Sequence, residues 1–145
     1  MRRSGFTFVE VIVVLAILAG LAALVAPSFS RTIVSARLRT AASDVRSTFA
    51  RARSLAVASA RERDVTFDLS RGEFGVDNEA VRRLPESIRL GAVLRGEERQ
   101  ERGSVRVRFF PDGGGEQAEI SVTAQDGGTL RVTVDPLTGL SEAGT

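Results

Sequence analysis

The chain has 145 residues, room for one ordinary domain and a short appendage. It holds no cysteine, histidine, tryptophan or tyrosine, and its 20 basic residues are all arginine. Disulfides, Cys/His metal sites, Ser-His-Asp triads, Schiff-base lysines and the lysine of a phosphate loop are therefore excluded.

In chain order, Arg2 and Arg3 precede a long apolar run. No charged side chain falls between Glu10 and Arg31, and Val11 to Ala26 contains no polar one. A helix rising about 1.5 Å per residue crosses a hydrocarbon core of roughly 30 Å in about 20 residues, so Phe6 to Ser30 is long enough to span a membrane. Helical period continues beyond it: Val34, Leu38, Ala41, Val45, Phe49, Ala52 and Ala56 follow one another at spacings of three or four. Arg37, Arg39, Arg46, Arg51 and Arg53 lie largely off that stripe. Residues 6 to about 60 thus read as one helix of roughly 80 Å, a transmembrane half over 6–30 and an amphipathic half over 31–62. Pro27 removes a backbone hydrogen bond within it and predicts a kink; the stripe resumes within two turns, which favours continuation over termination.

From Asp64 the period becomes two. Val65, Phe67 and Leu69, then Val105, Val107 and Phe109, then Ile120 and Val122, then Leu130, Val132 and Val134 alternate with polar residues, as strands with one buried face do. Turn chemistry separates them at Ser70-Arg71-Gly72, at Pro111-Asp112-Gly113-Gly114-Gly115 and at Gln125-Asp126-Gly127-Gly128, the last joining two runs into a hairpin. Asp135-Pro136 enters a further turn that Thr138-Gly139 closes before a last short strand. The charged stretch from Arg95 to Gly103 reads as a solvated loop. Residues 63–145 form a β-rich head, and the fold class is α+β.

Two features of the N-terminus carry chemistry. Glu10 sits in an apolar run, where an ionised carboxylate costs on the order of 3 kcal/mol at the bilayer centre, so it needs a partner or a role. A removed secretory signal ending at Ala26 is disfavoured by the short positive region, by Glu10 and by Pro27.

Gly5-Phe6-Thr7-Phe8-Val9-Glu10-Val11 resembles the leader of type IV pilins and type II secretion pseudopilins. In that family a short basic leader ends in glycine, the mature chain begins with phenylalanine, and a glutamate is the fifth mature residue. The resemblance implies that a prepilin peptidase removes residues 1–5 by cutting after Gly5 and methylates the new amino group of Phe6. It also implies that Glu10 neutralises the amine of Phe6 on a neighbouring subunit during assembly. Arg106 to Pro111 (RVRFFP), Asp112-Gly113 and Val134-Asp135-Pro136-Leu137-Thr138-Gly139 resemble the head of the GspH/FimT group, a long helix packed on a β-sandwich-like domain.

The H-type pseudopilins of that group are subunits of a periplasmic pseudopilus that helps export folded proteins across the outer membrane. FimT-type minor pilins prime type IV pili or bind DNA through a basic C-terminus. Here no basic residue follows Arg131, while Asp135 and Glu142 are acidic, which disfavours nucleic acid as a partner. Arg106, Arg108 and Arg131 are the remaining candidates for a basic patch, the alternative being a solvated strand face that discourages edge pairing. The partners implied are the prepilin peptidase, other major and minor pseudopilins, the inner membrane, and the secretin or exoprotein cargo. The localisation implied is a single-pass inner-membrane protein with a cytoplasmic N-terminus before assembly and a periplasmic head.

The head's carboxylates are scattered without motif spacing, so no catalytic residue, metal site or cofactor is expected and the protein is not read as an enzyme. The charge can now be placed. The net +2 belongs to Arg2 and Arg3; residues 6–63 carry 8 arginines against 3 acids, and 64–145 carry 10 against 15. A basic helix joins an acidic head.

Overall fold

The computed structural model describes residues 7–77, 79–94 and 99–144, with side chains described throughout except at 22–32 and 93–94. One helix, α1 (Phe8–Ser59), precedes nine strands: β1 (Arg63–Asp68), β2 (Glu73–Val76), β3 (Arg82–Arg83), β4 (Ile88–Leu94), β5 (Arg99–Gln100), β6 (Ser104–Phe109), β7 (Ala118–Ala124), β8 (Thr129–Val134) and β9 (Ser141–Gly144). The α1 assignment runs through residue 27, so the helix continues past the proline as the resumed stripe suggested. Two compact units divide the chain, residues 1–33 and residues 34–145.

Within the second unit, all strand pairs are antiparallel and form two sheets. One has the order β3-β2-β1-β6, the other β5-β4-β7-β8-β9. Register puts one apolar set inward. In the four-stranded sheet Phe67 faces Phe74 and Val105, and Val65 faces Val76 and Val107, all buried. In the five-stranded sheet Ile88, Leu90 and Ala92 pair with Ala124, Val122 and Ile120, and the last two pair with Leu130 and Val132. Because side chains alternate strictly along a strand, a one-residue slip would expose every one of these, and the burial pattern fixes the pairing.

The helix closes the core. Leu38, Ala41, Ala42, Val45, Phe49, Ala52 and Ala56 are buried in the same apolar cluster as both sheets, with Val34 packed at its margin. Four alanines on this face need little depth, while Phe49 supplies the bulk. Its ring centroid lies 5.6 Å from that of Phe67 on β1 and 5.6 Å from that of Phe109 on β6, both inclined rather than stacked. The stacked pair Phe67–Phe74 extends the chain of rings across the sheet.

The helix ends without glycine. Ala60 adopts a left-handed conformation (φ 48°), Arg61 N–H donates to the Ala56 carbonyl and Ala60 N–H to that of Val57. This is the double bond pattern of a Schellman cap, formed here at the steric cost of a Cβ in the left-handed region.

Three features differ from the sequence expectation. Strands β2 and β3, four and two residues long, fall outside the alternating runs. Arg99 and Gln100, placed in a charged loop, form β5 and pair with Val93 and Ala92 of β4. Strand β4 itself was not anticipated, since Gly91 and Ala92 are poor strand formers and Arg89 interrupts the apolar signal.

Candidate functional site

The described N-terminal segment opens on a cap. Thr7 precedes α1, and its Oγ1 and carbonyl both accept from the Glu10 N–H, at 3.3 and 3.1 Å. The sequence Thr7-Phe8-Val9-Glu10 therefore has the spacing of a capping box, with a carboxylate in the first turn where the helix field favours negative charge. Among the described residues no basic side chain pairs with the Glu10 carboxylate. Gly5 and Phe6 lie outside the described residues, as does the side chain of Pro27.

From Phe8 (80 % exposed) through Val9, Val11, Ile12, Val13, Val14, Leu15, Ile17 and Leu18 to Leu21, every large apolar side chain is solvent-facing. These residues occupy all sides of the helix, so no single packed face accounts for them. Among the described residues no helix is long and apolar enough to cross a membrane. Phe8–Leu21 supplies about 21 Å of it at about 1.5 Å per residue; the side chains that would complete the 6–30 span are not among those described.

In the head, two turns and one arginine form a node. The Asp135 carboxylate accepts from the amides of Leu137 (3.0 Å) and Thr138 (2.8 Å) and from Thr138 Oγ1 (2.9 Å). Gly139 N–H donates to the Asp135 carbonyl, and Gly115 N–H to that of Pro136, linking the Pro111–Gly115 turn to the Asp135–Gly139 turn. At Gly139 (φ 62°) a Cβ would come 2.3 Å from the Gly113 carbonyl oxygen, so neither the conformation nor the space admits a side chain. Arg53 reaches from α1 into the same place: its Nε donates to the carbonyls of Gly113 (3.0 Å) and Thr138 (2.8 Å). Both turns fall where the sequence places them. Arg53 is not distinguished in the sequence, where period alone classes it with the solvated arginines.

The Asp135 carboxyl is held below the usual aspartate range, first by the Thr138 amide and then by the Thr138 hydroxyl; these outweigh desolvation, and the Leu137 amide adds the smallest contribution. A depressed folded-state value means that the stabilisation is present above the ordinary aspartate pKa of about 3.9 and is lost as pH falls through the folded value. In a pH titration by NMR, the Leu137 and Thr138 amide shifts are expected to move together with a midpoint below that ordinary value. In Asp135→Asn the step should vanish; an unchanged step would refute this account of the turn.

The arginines proposed as a patch are not brought together. Arg106 and Arg108 lie on β6 and Arg131 on β8, in different sheets. Arg108 pairs with Asp64 at 2.9 Å and with Glu62 at 3.2 Å, Arg106 with Asp64 at 3.5 Å, and Arg131 with Glu119 at 3.5 Å. Each sits opposite or beside its carboxylate across a strand pair, the arrangement of a solvated sheet face. Among the described residues no group of three or more Asp or Glu side chains is placed to hold a metal ion.

A family model, type II transport protein GspH, matches residues 41–138, about two thirds of the chain and nearly the whole head. The chain belongs to the GspH family. A second model, the prokaryotic N-terminal methylation motif, matches residues 1–26. Among curated proteins none shows significant sequence similarity to it. Two solved structures share the fold, both of the minor pseudopilin EpsH from the type II secretion system of Vibrio cholerae. One is 14 % identical with a TM-score of 0.62, covering 74 % of this chain and 92 % of the other; the second is 14 % identical with a TM-score of 0.59, covering 75 % and 97 %. At that identity the likeness speaks for the fold, and the family match makes this a GspH-type pseudopilin. The Pro111–Gly115 turn and all but the last residue of the Asp135–Gly139 turn fall within residues 41–138.

Proposed function

We propose that this GspH-family chain works as a structural, non-catalytic minor pseudopilin of type II secretion, anchored in the inner membrane by residues 6–30 and presenting its head, 63–145, to the periplasm. The observation that carries the reading is the helix surface from Phe8 to Leu21, apolar on every side and uncovered, with Glu10 in its first turn. Such a surface exchanges lipid contacts for contacts with other helices, and Ala19 and Gly20 permit close approach. A prepilin peptidase cuts after Gly5 and methylates Phe6; Glu10 then meets the Phe6 amine of a neighbouring pseudopilin. Pro27 supplies local adjustment within the span. Processing before residue 6 removes Arg2 and Arg3, so their charge acts in orienting the precursor, cytoplasmic at its N-terminus.

The rival reading, a minor pilin that binds DNA, needs outward cations free to meet phosphates. The ion pairing of Arg106, Arg108 and Arg131 gives it no support.

Mass spectrometry of the protein from cells is expected to find a mature chain beginning at Phe6 and carrying one methyl group. A chain beginning anywhere else would refute the assignment. Deletion of the gene should abolish secretion of folded proteins while leaving surface pili intact; the reverse pattern would favour the pilin alternative.

A further inference from the structure

A cavity of about 450 Å³ opens on the outer face of the five-stranded sheet, lined by Arg89, Gly91, Arg99, Arg102, Ser121 and Thr123 among others. Its depth is a sequence effect. Gly91 pairs directly with Ser121, and a Cβ at Gly91 would lie 2.7 Å from Ser121 Oγ and 3.9 Å from an Arg99 guanidinium nitrogen. Without that Cβ the strand surface is hollow, and Ser121 forms its floor.

Ser121 is one of two buried polar residues among those described, 5 % exposed, and its hydroxyl has no hydrogen-bond partner there. Among the described residues the enclosed, unpaired side-chain atoms are Arg63 Nε and Ser87 Oγ, so the Ser121 Oγ opens into the cavity and is free to donate there. Thr123 flanks it, half-buried. The rim is cationic: Arg99 is balanced by Glu101 at 3.3 Å, whereas Arg89 and Arg102 have no acidic partner among the described residues. Elsewhere in the head the arginines are largely neutralised, Arg51 by Glu79, Arg82 by Asp44, Arg83 by Glu73, Arg106 and Arg108 by Asp64, and Arg131 by Glu119. Two guanidiniums with no acidic partner among the described residues, over a hydroxyl that opens into the cavity, mark a local site for an anion in a region with 15 acids against 10 arginines.

We propose that this cavity docks a carboxylate side chain on an acidic segment of a partner protein. The planar guanidinium fork matches a carboxylate in geometry, and Ser121 can donate a further bond from below. The cavity is a single pit rather than a track along which successive phosphates could be met, which sets nucleic acid aside. The site is separate from the N-terminal helix, so it does not depend on the assembly role given to Glu10.

The test uses the full-length protein in detergent micelles and a fluorescein-labelled peptide of alternating glycine with aspartate or glutamate, followed by anisotropy. The wild type is expected to bind it and to bind the matching asparagine/glutamine peptide at least tenfold more weakly. Arg89→Gln with Arg102→Gln should weaken binding roughly tenfold, as the loss of two exposed charge contacts predicts. Ser121→Ala should weaken it by a smaller factor with the fold intact. Arg106→Gln, which removes one charge on the other sheet, and Glu10→Ala should leave it unchanged. The proposal is overturned if the wild type does not bind, if Arg106→Gln costs as much as the Arg89/Arg102 pair, or if an oligonucleotide of equal charge binds more tightly than the peptide.

Discussion

Phe49→Ala is expected to destabilise the head by about 3–5 kcal/mol, the cost of deleting a buried phenylalanine when the surroundings only partly collapse. Domains of this size are stable by about 5–15 kcal/mol, so the variant would stand at or near the edge of folding. The size of the effect follows from position. Phe49 is fully buried and is the side chain by which the helix meets β1 and β6 at once, through inclined ring contacts with Phe67 and Phe109. Each aromatic pair adds about 0.5–1.5 kcal/mol beyond its buried area. The flanking Ala52 and Ala56 have no longer side chain with which to fill the void.

Urea unfolding of the full chain in micelles, followed by far-UV circular dichroism, measures the loss. Phe49→Leu, which keeps much of the apolar volume, should fall between wild type and alanine. Val57→Ala, half exposed on the same helix, should stay within about 0.5 kcal/mol of wild type. If Phe49→Ala and Val57→Ala cost the same, the helix is not a structural part of the head's core.

Helix and strands were legible in the sequence to unequal degrees, and the reason is local. The stripe from Val34 to Ala56 predicted most of the buried face of α1, because a helix with one side covered must repeat at three and four; Ala42 and Thr48, beside the stripe, are buried as well and Val34 only in part. Strands β1, β6 and β8 alternate because each has one covered face, and β7 alternates in residue type although Ser121 is buried together with Ile120 and Val122. Strand β4 was hidden for a reason tied to the cavity. Gly91 and Ser121 are buried on the face that should be solvated, so the apolar-polar alternation breaks where the pit is formed. Arg53 was hidden because period distinguishes inward from outward but not a solvated arginine from one whose Nε serves two turn carbonyls. Its signal lay in the turns, whose glycines and aspartate imply carbonyls in need of a donor. The basic patch failed on topology: Arg106 and Arg131 look alike in alternation, and strand order, which the sequence does not state, puts them in different sheets.

Glu10→Ala is expected to leave processing intact and to abolish incorporation into the pseudopilus. The two readouts separate because the residue has two environments in its history. In the single chain its amide is held by Thr7, and its carboxylate has no basic partner among the described residues. The backbone bond to Thr7 survives substitution, so the helix start that a peptidase would meet is retained; losing the favourable field interaction costs only about 0.3–1 kcal/mol. In an apolar bundle the balance reverses. A carboxylate there costs on the order of 3 kcal/mol until a cation meets it, and the amine of a neighbouring Phe6 faces the same cost alone. On the proposed pairing, removing Glu10 leaves the neighbour's amine unpaired at every incoming subunit. Glu10→Gln, which keeps size and helix propensity but not charge, should fail as alanine does, whereas Glu10→Asp should retain part of the function. Mature mass at Phe6, read beside crosslinking to other pseudopilins in the membrane, measures both ends. Normal crosslinking of Glu10→Gln would show that the charge is not what joins the helices.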